Sequence, residues 1–89
     1  MRAVITVIGK DCVGILAEVA TACAKNKVNI SEVSQSILQD MFCMIMMVDA
    51  SKMQLPFAEF SDSIKAYGEK EGLKIHVMHE DIFNSMHRI

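Results

Sequence analysis

Apolar and polar positions divide this chain of 89 residues into segments of different period. Residues 2–8 (Arg-Ala-Val-Ile-Thr-Val-Ile) are β-branched and apolar on both parities, the pattern of a central strand covered on both faces. Val13, Leu16, Val19, Ala20 and Cys23 then recur at helical spacing and predict a helix over about residues 12–25. Glu18 and Lys25 lie off that stripe, and Asn26 is placed to end the helix in a left-handed conformation. Val28 and Ile30 alternate in one phase, Val33 and Ile37 in the other. A strand over residues 28–38 therefore needs a bulge near Ser31–Glu32. Gln39-Asp40 predicts a two-residue hairpin into a nearly continuous apolar strand over residues 41–50.

After a loop at residues 51–55, Pro56 suits the first turn of a second helix. Its buried stripe is Phe57, Phe60, Ile64 and Tyr67, and Gly72 ends it. Leu73, Ile75 and Val77 alternate with Lys74 and His76, a fourth strand with one wet face. Residues 80–89 form a separate tail in which Ile82, Phe83, Met86 and Ile89 make one short apolar helical face.

The order strand, helix, strand, strand, helix, strand predicts an α+β domain over residues 1–79. It is a four-stranded antiparallel sheet with two helices on one face, followed by the short helical tail. The third strand, with Met41, Met44, Met46 and Met47, is apolar on both sides, although one side of such a sheet faces water. An apolar sheet face marks a contact, so the tail is expected to cover that face or a partner's.

Composition narrows the function. A length of 89 residues fits one domain with a modest core, for which a partner chain is a natural stabiliser. The net charge of -2 excludes a general nucleic-acid binder, which needs basic surface to neutralise phosphates. No apolar run approaches the roughly 20 residues that span a bilayer. The three cysteines, Cys12, Cys23 and Cys43, match no zinc spacing, and no secretory-type leader precedes them. A reduced, cytoplasmic protein is the expectation. Cys12 would sit in a first helical turn beside Lys10, which favours a thiolate, yet no His or second Cys stands near to activate or resolve it. Cys23 and Cys43 lie on apolar patterns and read as core. His76 and His79 are an odd number apart and point to opposite faces of a regular strand. Neither they nor His87 predict a metal site.

The chemistry concentrates where the first strand becomes the first helix, at Gly9-Lys10-Asp11-Cys12-Val13-Gly14-Ile15-Leu16. The first N–H groups of a helix lack partners within it and sit at the positive end of its dipole, a seat for a carboxylate or phosphate. Gly9 would supply a tight turn with positive φ, Gly14 would let a ligand approach, and Asp11 would cap the helix. Neither Gly-x-Gly-x-x-Gly nor a Gly-Lys-Ser/Thr phosphate loop is present, so no nucleotide cofactor is predicted.

The apolar first strand, the turn Gly9-x-Asp11-x-x-Gly14-Ile15-Leu16 and Val28-Asn29-Ile30 entering the second strand together resemble an ACT domain, a small ligand-sensing module of amino-acid metabolism. The whole chain resembles a family of stand-alone bacterial ACT-domain proteins and is similar to the ACT domains of glycine-cleavage-system repressor-like proteins. The resemblance implies a ferredoxin-like βαββαβ fold, side-by-side pairing of two chains through an edge strand, and an amino-acid or related small-molecule site at that interface. It marks Lys10, Asp11, Gly14, Ile15 and Leu16 from one chain and Asn29 and Ile30 from its neighbour. The ligand's ammonium would need acceptors, which Asp11, Asn29 or backbone carbonyls would supply. Many ACT turns carry Pro or Arg after the Asp, where this chain has Cys12-Val13. The implied role is regulatory and non-catalytic. The alternative is an interaction module that binds another protein and no small molecule.

Overall fold

The computed structural model describes residues 1–10 and 14–86. The elements are β1 (Arg2–Gly9), α1 (Ile15–Lys25), β2 (Asn29–Leu38), β3 (Met41–Asp49), α2 (Phe57–Glu71), β4 (Lys74–His79) and α3 (Glu80–Met86). The strands form one sheet in the order β2-β3-β1-β4, with every neighbouring pair antiparallel. This is the ferredoxin-like βαββαβ arrangement followed by a C-terminal helix. Among the described residues, no helix is long and apolar enough to cross a membrane.

Strand parity sorts the side chains into two layers. Ala3, Ile5 and Val7 of β1 share a face with Phe42, Met44, Met46 and Val48 of β3 and with Ile75 and Val77 of β4. All are buried, and they form one core with Val19 and Cys23 of α1 and Phe60 and Ile64 of α2. Gly9 is the last residue of β1 and is not among the residues of positive φ. A Cβ there would collide with the Leu73 side chain, so close packing, not turn geometry, calls for glycine. At Gly72, which ends α2, φ is 72°.

The hairpin and the bulge match the pattern. Gln39 and Asp40 both have positive φ, 47° and 73°, and Leu38 pairs with Met41 across a two-residue turn of the primed type. The β2–β3 register slips between Ile30 and Glu32, which leaves Ser31 as the extra residue.

Two expectations for the first helix are corrected. α1 buries Ile15, Val19 and Cys23, while Leu16 is 37% exposed and Ala20 is half-buried. Ile15, Leu16, Ala17, Val19, Ala20, Ala22, Cys23 and Ala24 are all apolar, so spacing alone permits more than one stripe. Asn26 is not left-handed: its φ is -100°, and Lys27 at φ 59° makes the turn. Asn26 instead closes the helix by donating from Nδ2 to the Ala22 carbonyl at 2.8 Å. The expected first turn at Cys12 and Val13 lies outside the described residues.

The face away from α1 and α2 carries Arg2, Val4, Thr6 and Ile8 of β1 and Met41, Cys43, Ile45 and Met47 of β3. α3 packs against β1 and β4. Arg2 Nε lies 3.1 Å from Glu80 Oε2, and Val4, on the same face, is fully buried. The tail thus lies on the β1–β4 side of this face and not chiefly on the third strand as expected, and Ile82 of its expected apolar face is 55% exposed; Ile89 lies outside the described residues. Cys43 is half-buried on this face, not in the core.

Candidate functional site: two half-sites at opposite ends of the sheet

The first half-site is the β1–α1 junction. Gly14 begins α1 at φ 75° and is exposed, with nothing within 4 Å of where a Cβ would stand. Glycine is needed here for backbone conformation, since the left-handed region costs other residues roughly 1–2 kcal/mol. The Gly14 carbonyl accepts the Glu18 N–H at 3.0 Å, the first bond of the helix. No side-chain cap bonds to this helix start among the described residues, and the N–H groups of Ile15 and Leu16 belong to the intrinsically unpaired first turn. The Ile15 side chain enters the core at 3% exposure, so this residue offers a backbone donor only. Leu16 and Lys10 are exposed. Asp11, the expected cap, lies outside the described residues.

The second half-site is the start of β2. Asn29 is exposed and pairs with Asp49, which pairs with Arg2. Ile30 is half-buried and packs against the core. Asn29, Lys27, Asp49, Ser51 and Lys52 line an open recess of about 570 Å³. The Ser51 backbone N–H donates to Asp49 Oδ1 at 2.9 Å, and that bond holds the Asp49 carboxyl below its usual range. Asp49 is therefore a standing negative charge beside Asn29. Sequence reading passed over it because it ends an apolar run, and its place next to Asn29 follows only from the β2–β3 register.

Within one chain the two halves do not meet. Gly9 lies in the row of Phe42 and Ile37, whereas Asn29 lies in the row of Asp49 and Arg2. Seven residues of β1 separate these rows, roughly 23 Å at a rise of ~3.3 Å per residue. β2 is the edge strand on the side of α1, and every position from Ser31 to Asp40 is exposed. Val33 and Ile37 share the face of the core residues Met46 and Phe42, yet they are 39% and 68% exposed.

The remaining candidates are apart from both halves. Burial pushes the Cys23 thiol up to about 11, which keeps it protonated and unreactive near neutral pH. His76 and His79 fall on opposite faces of β4, and His79 Nδ1 accepts the Asp81 N–H at 3.1 Å. Among the described residues, no group of three or more His, Cys, Asp or Glu could hold a metal ion. Cys12 and His87 lie outside them.

A four-stranded sheet of this order with α1 and α2 packed on one face defines a small ferredoxin-like module. The ACT domain model matches residues 2–78, and the chain belongs to the ACT domain family. A UPF0237 protein of Methanococcus maripaludis is 48% identical over 97% of this chain and 96% of its own length. The solved ACT domain protein from Streptococcus pneumoniae superposes with a TM-score of 0.81 at 35% identity, over 93% of each chain. A putative glycine cleavage system transcriptional repressor shares the fold, at TM-score 0.71 and 20% identity, over 89% of this chain and 47% of its own.

Proposed function

We propose that this protein is a cytoplasmic, non-catalytic ligand sensor that works as a homodimer and binds an amino acid, or a close relative of one, between its two chains. The carrying observation is the division of the site. Its halves stand at opposite ends of the sheet, beside a long exposed edge strand. Antiparallel pairing of β2 with the β2 of a second copy, centred on Ser34 and with Ser31 left out as the bulge residue, sets the partner's Asn29 opposite Leu38 and the partner's Ile30 opposite Ile37. That pairing carries the second half-site of one chain to the first half-site of the other. It also covers Val33 and Ile37 and satisfies an open row of backbone groups.

The chemistry suits a zwitterion. The N–H groups opening α1 receive a carboxylate, and the open space at Gly14 gives it room. Asn29 accepts from the ammonium through its side-chain oxygen, and the Asp49 charge favours a cation nearby. Lys10 adds positive charge on the carboxylate side, Leu16 gives an apolar wall, and Asp11 completes the polar set.

The test is a thermal-shift screen of the full chain against the proteinogenic amino acids. A ligand at 100 times its dissociation constant adds about 2.7 kcal/mol, a shift on the order of 10 °C for a domain of this size. We expect one amino acid to give that shift and Asn29→Ala to remove it. No shift with any amino acid would sink the sensor reading in favour of a module that pairs with another protein.

A further inference from the structure

The face of the sheet opposite α1 and α2 is half covered. Toward the Arg2 end, α3 shields Val4, and Met47 and Met78 beside it are half-buried. Toward the other end, no helix of the described residues lies over the sheet. There Ile8 and Ile45 are 40% and 39% exposed, with half-buried Met41 and Cys43 between the strands. The outer surface of α3 offers Ile82 at 55% exposure. The face is therefore a step, one half raised by a helix and the other half an apolar floor.

Such a step is its own complement. A two-fold axis between two stacked sheets, perpendicular to the strands at the level of Ile45 and Thr6, lays the raised half of each copy over the bare half of the other. Two-fold interfaces use the same patch on both subunits, and this patch holds both the projection and the recess. The charges obey the same rotation. α3 starts at the Arg2 end with Glu80 and Asp81, and the Asp81 side chain is 86% exposed. At the bare end Ile8, Lys10, Met41 and Lys74 line a recess of about 460 Å³. Glu71 shares that rim; two lysines against one glutamate leave it net positive by one. The rotation brings the acidic start of one helix to the basic end of the opposite sheet.

We propose that a second copy of this chain docks on this face by a two-fold axis, each α3 filling the bare half of the other sheet and each Asp81 meeting the partner's Lys74. The contact uses no atom of the β2 edge, and of the proposed ligand-site residues only Lys10 lies on its rim, so a protein that pairs through both surfaces is a tetramer.

Sedimentation equilibrium on the full chain tests this, with wild type, Asp81→Lys, Lys74→Asp and the double exchange. Lys74, Asp81 and Ile82 are all exposed, and circular dichroism checks that each variant is folded. Each single variant is expected to halve the mass, and the double exchange to restore it. Ile82→Asn, which changes no charge, is expected to halve it as well. A wild-type mass unchanged by the single variants overturns the proposal, as does a double exchange no heavier than the singles. A change in melting temperature without a change in mass would assign the bare half to this chain's own C-terminus, and also overturns it.

Discussion

The two edge strands of one sheet are built to opposite ends. β4 has six residues, and Ile75 and Val77 are buried under α2 while Lys74 and His76 face outward. β2 has ten residues and the same apolar-polar alternation after its bulge, yet Val33 and Ile37 stay exposed. The difference lies in what stands above them. Gly68 lets α2 come down on β4 so closely that a Cβ there would stand 2.8 Å from Ile75. α1 makes only slight contact with β2. An alternating strand only slightly touched by a helix has apolar positions that this chain alone does not bury, and these are the positions the proposed pairing of two copies would cover.

Substitution at matched positions should separate the two edges most sharply. Ile75→Ala removes a buried side chain and is expected to cost about 2–5 kcal/mol, a large part of the stability of so small a domain. Ile37→Ala should alter the stability of an isolated chain by less than about 0.5 kcal/mol. Urea denaturation at low protein concentration measures both, and an Ile37 effect as large as that of Ile75 would end the distinction. Raising the concentration sharpens it, because Ile37→Lys should weaken self-association and with it any ligand-induced shift.

A middle-sized effect is expected at Gly14. With φ at 75° and open space around it, Gly14→Ala should cost roughly 1–2 kcal/mol from backbone strain alone. The loss should appear equally in the Ile37→Lys background, where pairing through β2 is removed, since it belongs to one chain. A loss seen only in the associated protein would instead make Gly14 part of the interface.

The smallest effect belongs to the Arg2–Glu80 pair, with side chains 51% and 24% exposed. Such a pair contributes about 0–1 kcal/mol, less in high salt. Arg2→Ala should lower the melting temperature by no more than a few degrees and leave Ile8 and Ile45 as exposed as before. A collapse of the fold on this change would show that α3 carries far more of the stability than its single ion pair accounts for.

Much of the fold was legible because several signals converged on each element. The Gln39-Asp40 turn stood between two runs of strand-forming residues, and the phase change from Ile30 to Val33 could only be a bulge. The stripe of α1 was not legible, because a helix that is apolar nearly all round carries no phase of its own; the sheet beneath it chose Ile15 over Leu16. Of the candidate site, the glycine-led helix start could be named from residue type and spacing, while Asn29 entered only through the resemblance to ACT domains. The neighbourhood of Asn29 could not. Asp49 reaches it through a strand register, and the roughly 23 Å between the halves is a property of the sheet that no local pattern records.

The single extra residue at Ser31 has a reach beyond its own turn of chain. Ile30 and Ile37 are seven positions apart, an odd interval that in a regular strand would send them to opposite sides. The bulge shifts the reading frame of the strand by one, and both then face the core side. Deleting Ser31 would change no side chain of the site, yet it would turn Asn29 and Ile30 over relative to everything after them. In this protein the length of an edge strand, counted to the single residue, is as specific a part of the proposed site's geometry as any of its side chains.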